Sequence, residues 1–417
     1  MDNKFKNLNN ILCLVFLICF FSIINISCSK NNTNNSPDEF NNSSTESQNG
    51  IQIKSEIINR DGNNLEIWSA EVEPSKRSIS LVRASNQLTG SETVSEVAIR
   101  EKAIFAMNGG FFKIFNEKSL QLSNKYLDSF HLGTHYSPYY ALPRYSLKIE
   151  NNWYGVNSVF HDVVGWNSNI NEMNFGKISV VPALSFFNLD KSKSDQLNLT
   201  AVNSLSFKNA TIVYTKNWKK SIQFPNIGYL LKYDFEQNKI VETFDLSKIL
   251  NQKDRNMNVN DKVILIYFYS FNKKILFQNI QDLFLDFEVQ TLFEQDNIDW
   301  KNMDFIVSGR PQLIRNGRIL TPFPNSNFHL NKFPRTAMCK LNNGNVLFLT
   351  LGDAELMDNI KDGASILTWA KILLEKGCKD AINLDGGGSA TFYYDNKLRN
   401  KQDPLQERHV SDVIIVK

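Results

Sequence analysis

Beyond residue 28 the chain is almost without cysteine: Cys13, Cys19 and Cys28 fall in its first 28 residues, and only Cys339 and Cys378 remain for the other 389 of 417. That scarcity excludes a disulfide scaffold and a cysteine-built zinc centre, and the last two cysteines are expected as buried thiols rather than a bridge. An excess of one charge is missing too. The 46 basic and 43 acidic side chains leave a net charge of +3 with no basic stripe, so nucleic acid is not an expected partner. Neither GxGxxG nor GxxxxGK[ST] spacing occurs, which removes the usual dinucleotide and phosphate loops. His131 and His135 stand four apart but lack the Glu of a metalloprotease helix, so zinc is not expected there. After Ile51 there is no second low-complexity break and no fixed-period repeat, which favours one large domain over 51–417.

What is present begins with export. Lys4 and Lys6 precede an apolar run from Ile11 to Ile24 that ends in Asn25-Ile26-Ser27-Cys28, the pattern of a signal peptide too short for a comfortable membrane span. A small residue before a cysteine at that point resembles a bacterial lipobox, with Asn25 where Leu is usual. Cys28 is therefore the expected lipidation site of a membrane-anchored lipoprotein, placed in the periplasm or on the cell surface. Residues 29–50 are polar and nearly free of hydrophobes, and are expected to form a disordered tether.

The body has 42% hydrophobic and 12% aromatic residues in the whole-chain count, enough for a substantial core. Short apolar runs bounded by turn residues predict strands over Leu65–Val72, Ser78–Val82, Ala103–Met107, Thr211–Tyr214, Val263–Phe268, Asn345–Leu351, Ala381–Leu384 and Val413–Val416. A helix is predicted over Gly363–Lys376, with Ile366, Ala370, Leu373 and Leu374 on one face and Gly377 as its stop. The class is α+β: a strand-rich mixed-sheet domain with a few packed helices and a site at glycine-rich strand ends. Lys113–Tyr140 reads as a long loop over a cleft.

Two glycine clusters follow predicted strands directly: AIFAMNGGFF (Ala103–Phe112) and AINLDGGGSATF (Ala381–Phe392). Glycine lets a ligand or a second chain approach the backbone closely, so such strand ends suit a site. Asn108-Gly109 and Asp385-Gly386 also suit plain hairpin turns. Arg310, Arg335 and Arg408 are candidates to meet an anion through a bidentate guanidinium, Arg335 foremost.

Six blocks, in order, then carry a resemblance: GSETVSEVAIREKAIFAMNGGFF, NATIVYTKNW, FIVSGRPQLIRNGR, FPRTAMCKL, GASILTWAKILLEKGCKDAINLDGGGSATF and ERHVSDVIIV. The chain resembles the phosphodiester glycosidase family over most of its body. The resemblance implies hydrolysis of a sugar-1-phosphodiester at the C1–O bond, with free sugar and a phosphomonoester as products, in cell-surface glycan or exopolysaccharide metabolism. Asp385 is then the leading nucleophile or general base and Asp353 the second carboxylate. Arg335 and the N–H groups of Gly386, Gly387, Gly388 and Ser389 would hold phosphate. Asn108, Gly109, Thr336, Arg310 and Arg408 would complete the substrate contacts. Cys339 departs from a usual glycine, Arg310 occupies a point where small residues are common, and Phe115–Pro143 is longer than the family's linker. Two readings stay open for Asp385, a carboxylate satisfied within its own loop or one holding Ca²⁺, and a glycan-binding lipoprotein without catalysis is the alternative function.

Overall fold

The computed structural model describes residues 43–115, 140–150, 152–156, 158–169, 173–188, 194–219, 221–270, 280–292, 298–352, 363–400 and 407–417. Cys28, Asp353, His131, His135 and most of the expected tether and long loop lie outside them. Asn41–Lys417 forms one compact unit.

An eight-stranded antiparallel sheet runs Ser43–Gln48, Ile51–Arg60, Asn63–Val72, Val346–Leu351, Arg335–Leu341, Cys378–Asn383, Gln312–Arg315, Arg318–Ile319. A five-stranded antiparallel sheet packs on it, in the order Lys397–Leu398, Phe392–Tyr394, Phe105–Asn108, Asp412–Val416, Ile79–Arg83. Their shared core holds Phe105, Met107, Met338, Phe348, Ile382, Phe392 and Ile414, together with Trp166 and Val307 from a seven-stranded sheet. That third sheet buries its other side against a further five-stranded sheet, with Val180, Val213 and Ile266 between them. The strand-rich α+β class is what the fold shows.

Val346–Leu351 explains why the central strands read as unbroken apolar runs. Val346 and Phe348 enter the core between sheets, while Leu347, Leu349 and Leu351 face the helix Ile366–Glu375. Both faces of the strand are covered, so alternation disappears from its sequence. Burying each such side chain is worth about 1.5–3 kcal/mol. The helix begins at Ile366 because Ser365 caps it by accepting the Thr368 N–H, while Ala364 is held in a bridge to Phe333. Gly377 ends it at φ +85°. Its buried face is Ile366, Trp369, Ala370, Ile372 and Leu373, and the expected Leu374 is instead 38% exposed. Among the described residues no helix is long and apolar enough to cross a membrane.

Two expectations are corrected. Ser43–Gln48, at the end of the expected tether, is a strand: its backbone pairs with Ile51–Arg60 through a turn at Asn49-Gly50, with Gly50 at φ +75°. Backbone pairing needs no apolar side chain, and all six residues are exposed. Cys339 and Cys378 are joined in a disulfide, not two thiols. They lie on neighbouring antiparallel strands where the register shifts between Lys340 and Leu341, which brings their Cα atoms to 5.7 Å, inside the bridging range.

Candidate active site

Neither glycine cluster is a hairpin. Phe105–Asn108 belongs to the five-stranded sheet, and the strand after it, Phe112–Phe115, pairs with Tyr140–Pro143 elsewhere. Cys378–Asn383 belongs to the eight-stranded sheet, and the strand after it, Phe392–Tyr394, to the five-stranded one. Each cluster is a crossing between sheets, and the two crossings meet: the Asp385 N–H donates to the Gly109 carbonyl at 3.2 Å.

Asn108 fastens that meeting point. Its Nδ2 donates to the Asp385 carbonyl at 2.6 Å, and its Oδ1 accepts from Thr336 Oγ1 at 3.3 Å and from the Thr391 N–H at 3.1 Å. Asn108 and Thr336 are both buried and spend these groups on the protein, so they shape the loop rather than line a substrate surface as expected. Gly109 is likewise occupied, its N–H donating to the Asp412 carbonyl at 3.0 Å.

The three glycines after Asp385 each answer a local demand. A Cβ on Gly386 would sit 2.5 Å from the Pro334 carbonyl oxygen, Gly387 has φ +58°, and a Cβ on Gly388 would sit 2.5 Å from Arg408 Cζ. Three of the four N–H groups expected to grip phosphate are already used. Gly386 donates to Asp385 Oδ1 at 3.1 Å, Gly387 to the Pro334 carbonyl at 2.8 Å, and Ser389 to the Gly386 carbonyl at 3.2 Å. A short 3-10 turn over Gly387–Ser389 consumes donors that an open loop would have offered.

Arg335 is also placed differently from expectation. Along its strand it shares a face with Ala337 and Cys339, opposite to Thr336 and Met338. Its Nε donates to the Ala364 carbonyl at 2.9 Å, and its Nη2 to the carbonyls of Phe328 at 2.9 Å and Asn331 at 3.0 Å. The guanidinium also lies against the rings of Phe328 (5.1 Å) and Phe333 (5.3 Å). Burial pushes its pKa down to about 9, so it stays charged at neutral pH. Arg335 is a clamp on the 328–335 segment, whose backbone presses on Gly386.

The residues gathered around the Asp385 carboxyl are Ser389, Arg408 and Asp412. Asp385 keeps part of its surface exposed but is densely surrounded by protein, and this desolvation raises its pKa to about 6. Ser389, Arg408 and the Gly386 N–H work against the rise, while Asp412 adds to it. The Ser389 hydroxyl is buried and has no partner of good hydrogen-bond geometry, although it lies close enough to the carboxylate to favour its charged form. Arg408 is half-buried and follows Glu407, whose carboxylate accepts the Ser95 N–H at 2.9 Å in the first turn of helix Val94–Glu101. That tie holds the segment carrying Arg408 against the loop.

Asp412 was not among the candidates. Buried at 1% exposure, it accepts the Gly110 N–H at 2.8 Å, bonds Ser411 Oγ and faces Arg83 at 3.6 Å. Burial raises its pKa, with Arg83 opposing, so it anchors the Asn-Gly-Gly crossing. A charge opening the otherwise apolar strand DVIIV is the signal that could have found it. Asn383 was missed as well. Its Nδ2 donates to the carbonyls of Arg310 at 2.7 Å and Leu384 at 2.9 Å, and its Oδ1 is buried with no partner among the described residues. For Ca²⁺ the set does not fit: Arg408 already supplies positive charge beside Asp385, and among the described residues no three carboxylate, His or Cys ligands gather.

Residues 269–417 match the sequence profile of the phosphodiester glycosidase family, a span that contains Arg310, Arg335, Asp385, Arg408 and Asp412. Over that span the chain is similar to the phosphodiester glycosidase family. No curated protein matches the chain. Among solved structures it is similar to a hypothetical protein from Synechocystis (TM-score 0.69, 19% identity, 88% of this chain and 62% of that one). A Burkholderia pseudomallei protein of proposed export is similar at TM-score 0.60 and 14% identity, over 85% of this chain and 74% of that one. These two likenesses concern the fold, and the chain spans only 62% of the length of the Synechocystis protein. The catalytic domain of zebrafish N-acetylglucosamine-1-phosphodiester α-N-acetylglucosaminidase, auto-inhibited by its pro-peptide, aligns over 90% of this chain and 87% of its own at 15% identity. Its TM-score is 0.37, and nothing about the site is drawn from it.

Proposed function

We propose that the protein is an exported hydrolase that cleaves the C1–O bond of a sugar-1-phosphodiester on cell-surface glycan or exopolysaccharide, releasing free sugar and a phosphomonoester. The observation that carries this reading is the Asp385 carboxyl, pushed up to about 6 beside Arg408 on a sheet-crossing loop inside the family-matched span. A phosphomonoester has a second pKa of about 6 and leaves readily near neutral pH. The reaction therefore needs little protonation of the leaving oxygen and much stabilisation of charge on the phosphate and on an oxocarbenium-like sugar. Arg408 faces the phosphate charge. Asp385, ionised above about pH 6, either takes the proton of the attacking water or attacks C1 itself, and the C1–O electron pair departs with the phosphate; in the second case water then attacks C1 and cleaves the sugar–Asp385 ester, releasing free sugar and the carboxylate. The nearby Ser389 hydroxyl favours the charged form of the carboxylate.

The signal-peptide pattern and Cys28 support export and lipid anchoring, and the Cys339–Cys378 disulfide supports an oxidising compartment. Asp385→Asn should lower kcat/KM on a sugar-1-phosphodiester by about 10³-fold or more while the protein stays folded. In the wild type kcat/KM should rise with pH through about 6 and then level off. The stability sign is opposite to that of a salt-bridged carboxylate. Because the folded pKa lies above the ordinary 3.8, the folded state holds the proton more tightly, and this group's contribution falls as pH rises from about 4 to 6. The Asn variant should accordingly be as stable as the wild type, or more so, at pH 7.5. Full activity in that variant would sink the assignment.

A further inference from the structure

Strand Ser43–Gln48 is polar and exposed, yet it is fixed in one place. It pairs with Ile51–Arg60 over all six residues, and the Glu46 carboxylate accepts from both Nη groups of Arg399 at 2.9 and 3.1 Å. That guanidinium lies over the rings of Trp68 and Tyr394. The register then decides where the chain before Ser43 leaves the domain. Ser43 lies opposite Glu56, Glu56 opposite Ile67, Ile67 opposite Leu351, and Leu351 opposite Arg335. On the next strand Asn383 lies opposite Ala337, so the row through Arg335 runs on to Asp385. Five strand spacings of about 4.8 Å put Ser43 roughly 24 Å from Asp385, at the same end of the sheet. Between Cys28 and Ser43 lie 14 residues, which span at most about 50 Å. A lipid on Cys28 therefore keeps the Asp385 end of the sheet within reach of the leaflet.

That end carries an apolar rim. Val159 (61% exposed) and Phe160 (39%) stand just before strand His161–Trp166, and Leu320 (38%) stands just after Arg318–Ile319, followed by the exposed Pro322 and Pro324. The two segments border one cleft together with Arg310, whose N–H donates to the Asn383 carbonyl at 2.7 Å, two residues before Asp385. The charges bordering that cleft are Arg310, Arg315 and Lys177 against the single carboxylate of Asp162. Apolar residues exposed singly are ordinary on a surface. Two segments presenting them side by side among cations match an anionic lipid interface, where apolar side chains enter the acyl boundary and cations meet the headgroups.

We propose that the Asp385 end of the domain docks on an anionic membrane leaflet, with Val159, Phe160 and Leu320 entering the lipid boundary and Arg310 on the headgroups. The affinity of this rim for lipid does not depend on the hydrolase reading. Its delivery to the leaflet by a tether rests on the lipid anchoring at Cys28 proposed above.

The test uses residues 29–417, which contain the whole compact unit Asn41–Lys417 and carry no lipid, so that vesicle binding reports the protein surface. Sedimentation with vesicles of phosphatidylglycerol and phosphatidylethanolamine should give a partition coefficient at least about 10-fold above that for phosphatidylcholine vesicles. Val159→Ser combined with Phe160→Ser should lower partition onto the anionic vesicles about 10-fold, and Arg310→Gln about 3-fold. Leu250→Ser, at a position 92% exposed outside the rim, should leave it unchanged. Phe160→Cys carrying an environment-sensitive fluorophore should shift to the blue on those vesicles, and the same label at Leu250→Cys should not. Absence of binding to anionic vesicles, equal binding to neutral ones, a Val159→Ser/Phe160→Ser protein that binds unchanged, or a label at 160 that stays in water would each overturn the docking surface. A protein that docks in this way yet turns over no sugar-1-phosphodiester sinks the hydrolase reading alone, and one that hydrolyses a soluble diester without docking sinks the docking alone.

Discussion

Two arginine positions touch the same glycine loop and are satisfied in contrasting ways. The backbone at Arg335 presses on Gly386, and its guanidinium is buried between two phenyl rings with three backbone carbonyls as acceptors. Arg408 lies against Gly388, is half-buried, and has the Asp385 carboxylate as its electrostatic neighbour. A cation whose donors are committed to main-chain carbonyls is structural, because rebinding them to a substrate would leave those carbonyls buried and unpaired. A cation beside a raised carboxylate can stabilise charge developing on a phosphate at little reorganisation cost. Both are arginine beside one loop, and only the surroundings separate their roles.

Arg408→Gln puts the larger demand on this contrast. It should lower kcat/KM by about 10²–10³-fold with little change in unfolding midpoint. Because Arg408 holds the Asp385 pKa down, the rising limb of the pH profile should also move to higher pH. A variant retaining wild-type turnover would break the comparison on the catalytic side. Arg335→Gln should instead cost about 2–3 kcal/mol of stability by denaturant titration, as carbonyls of Phe328, Asn331 and Ala364 lose their donors. Its kcat should stay near wild type under conditions where it is folded, and a selective loss of kcat there would move Arg335 into the chemistry. Gly387→Ala is the smallest expected effect, about 1–2 kcal/mol for a side chain at φ +58°. An unchanged melting temperature would show that the turn relaxes freely.

Much of the architecture was legible along the chain. The expected strands occur within about two or three residues of their predicted bounds, and the helix at Ile366–Glu375 falls inside its predicted span, because short apolar runs and a terminal glycine are local signals. Ser43–Gln48 was illegible because an exposed edge strand needs only backbone partners. The disulfide was illegible because it depends on a register shift at Lys340 and Leu341. Among site residues, the glycine clusters and Asp385 stood out by their spacing. The roles of Asn108, Thr336 and Arg335 did not, since a residue's face on a strand and the number of carbonyls near it are properties of neighbours far away in the chain.

The sequence by itself determined the strand-rich α+β class and the family likeness, and it singled out the Asp-Gly-Gly-Gly-Ser loop, because each is written in contiguous residues. Only the tertiary structure decided that the two glycine clusters are crossings that meet, that Asp412 anchors one of them, and that Arg408 rather than Arg335 faces Asp385. Those outcomes rest on desolvation and hydrogen-bond saturation, which are set by residues as distant as Asn108 and Asp385, 277 positions apart.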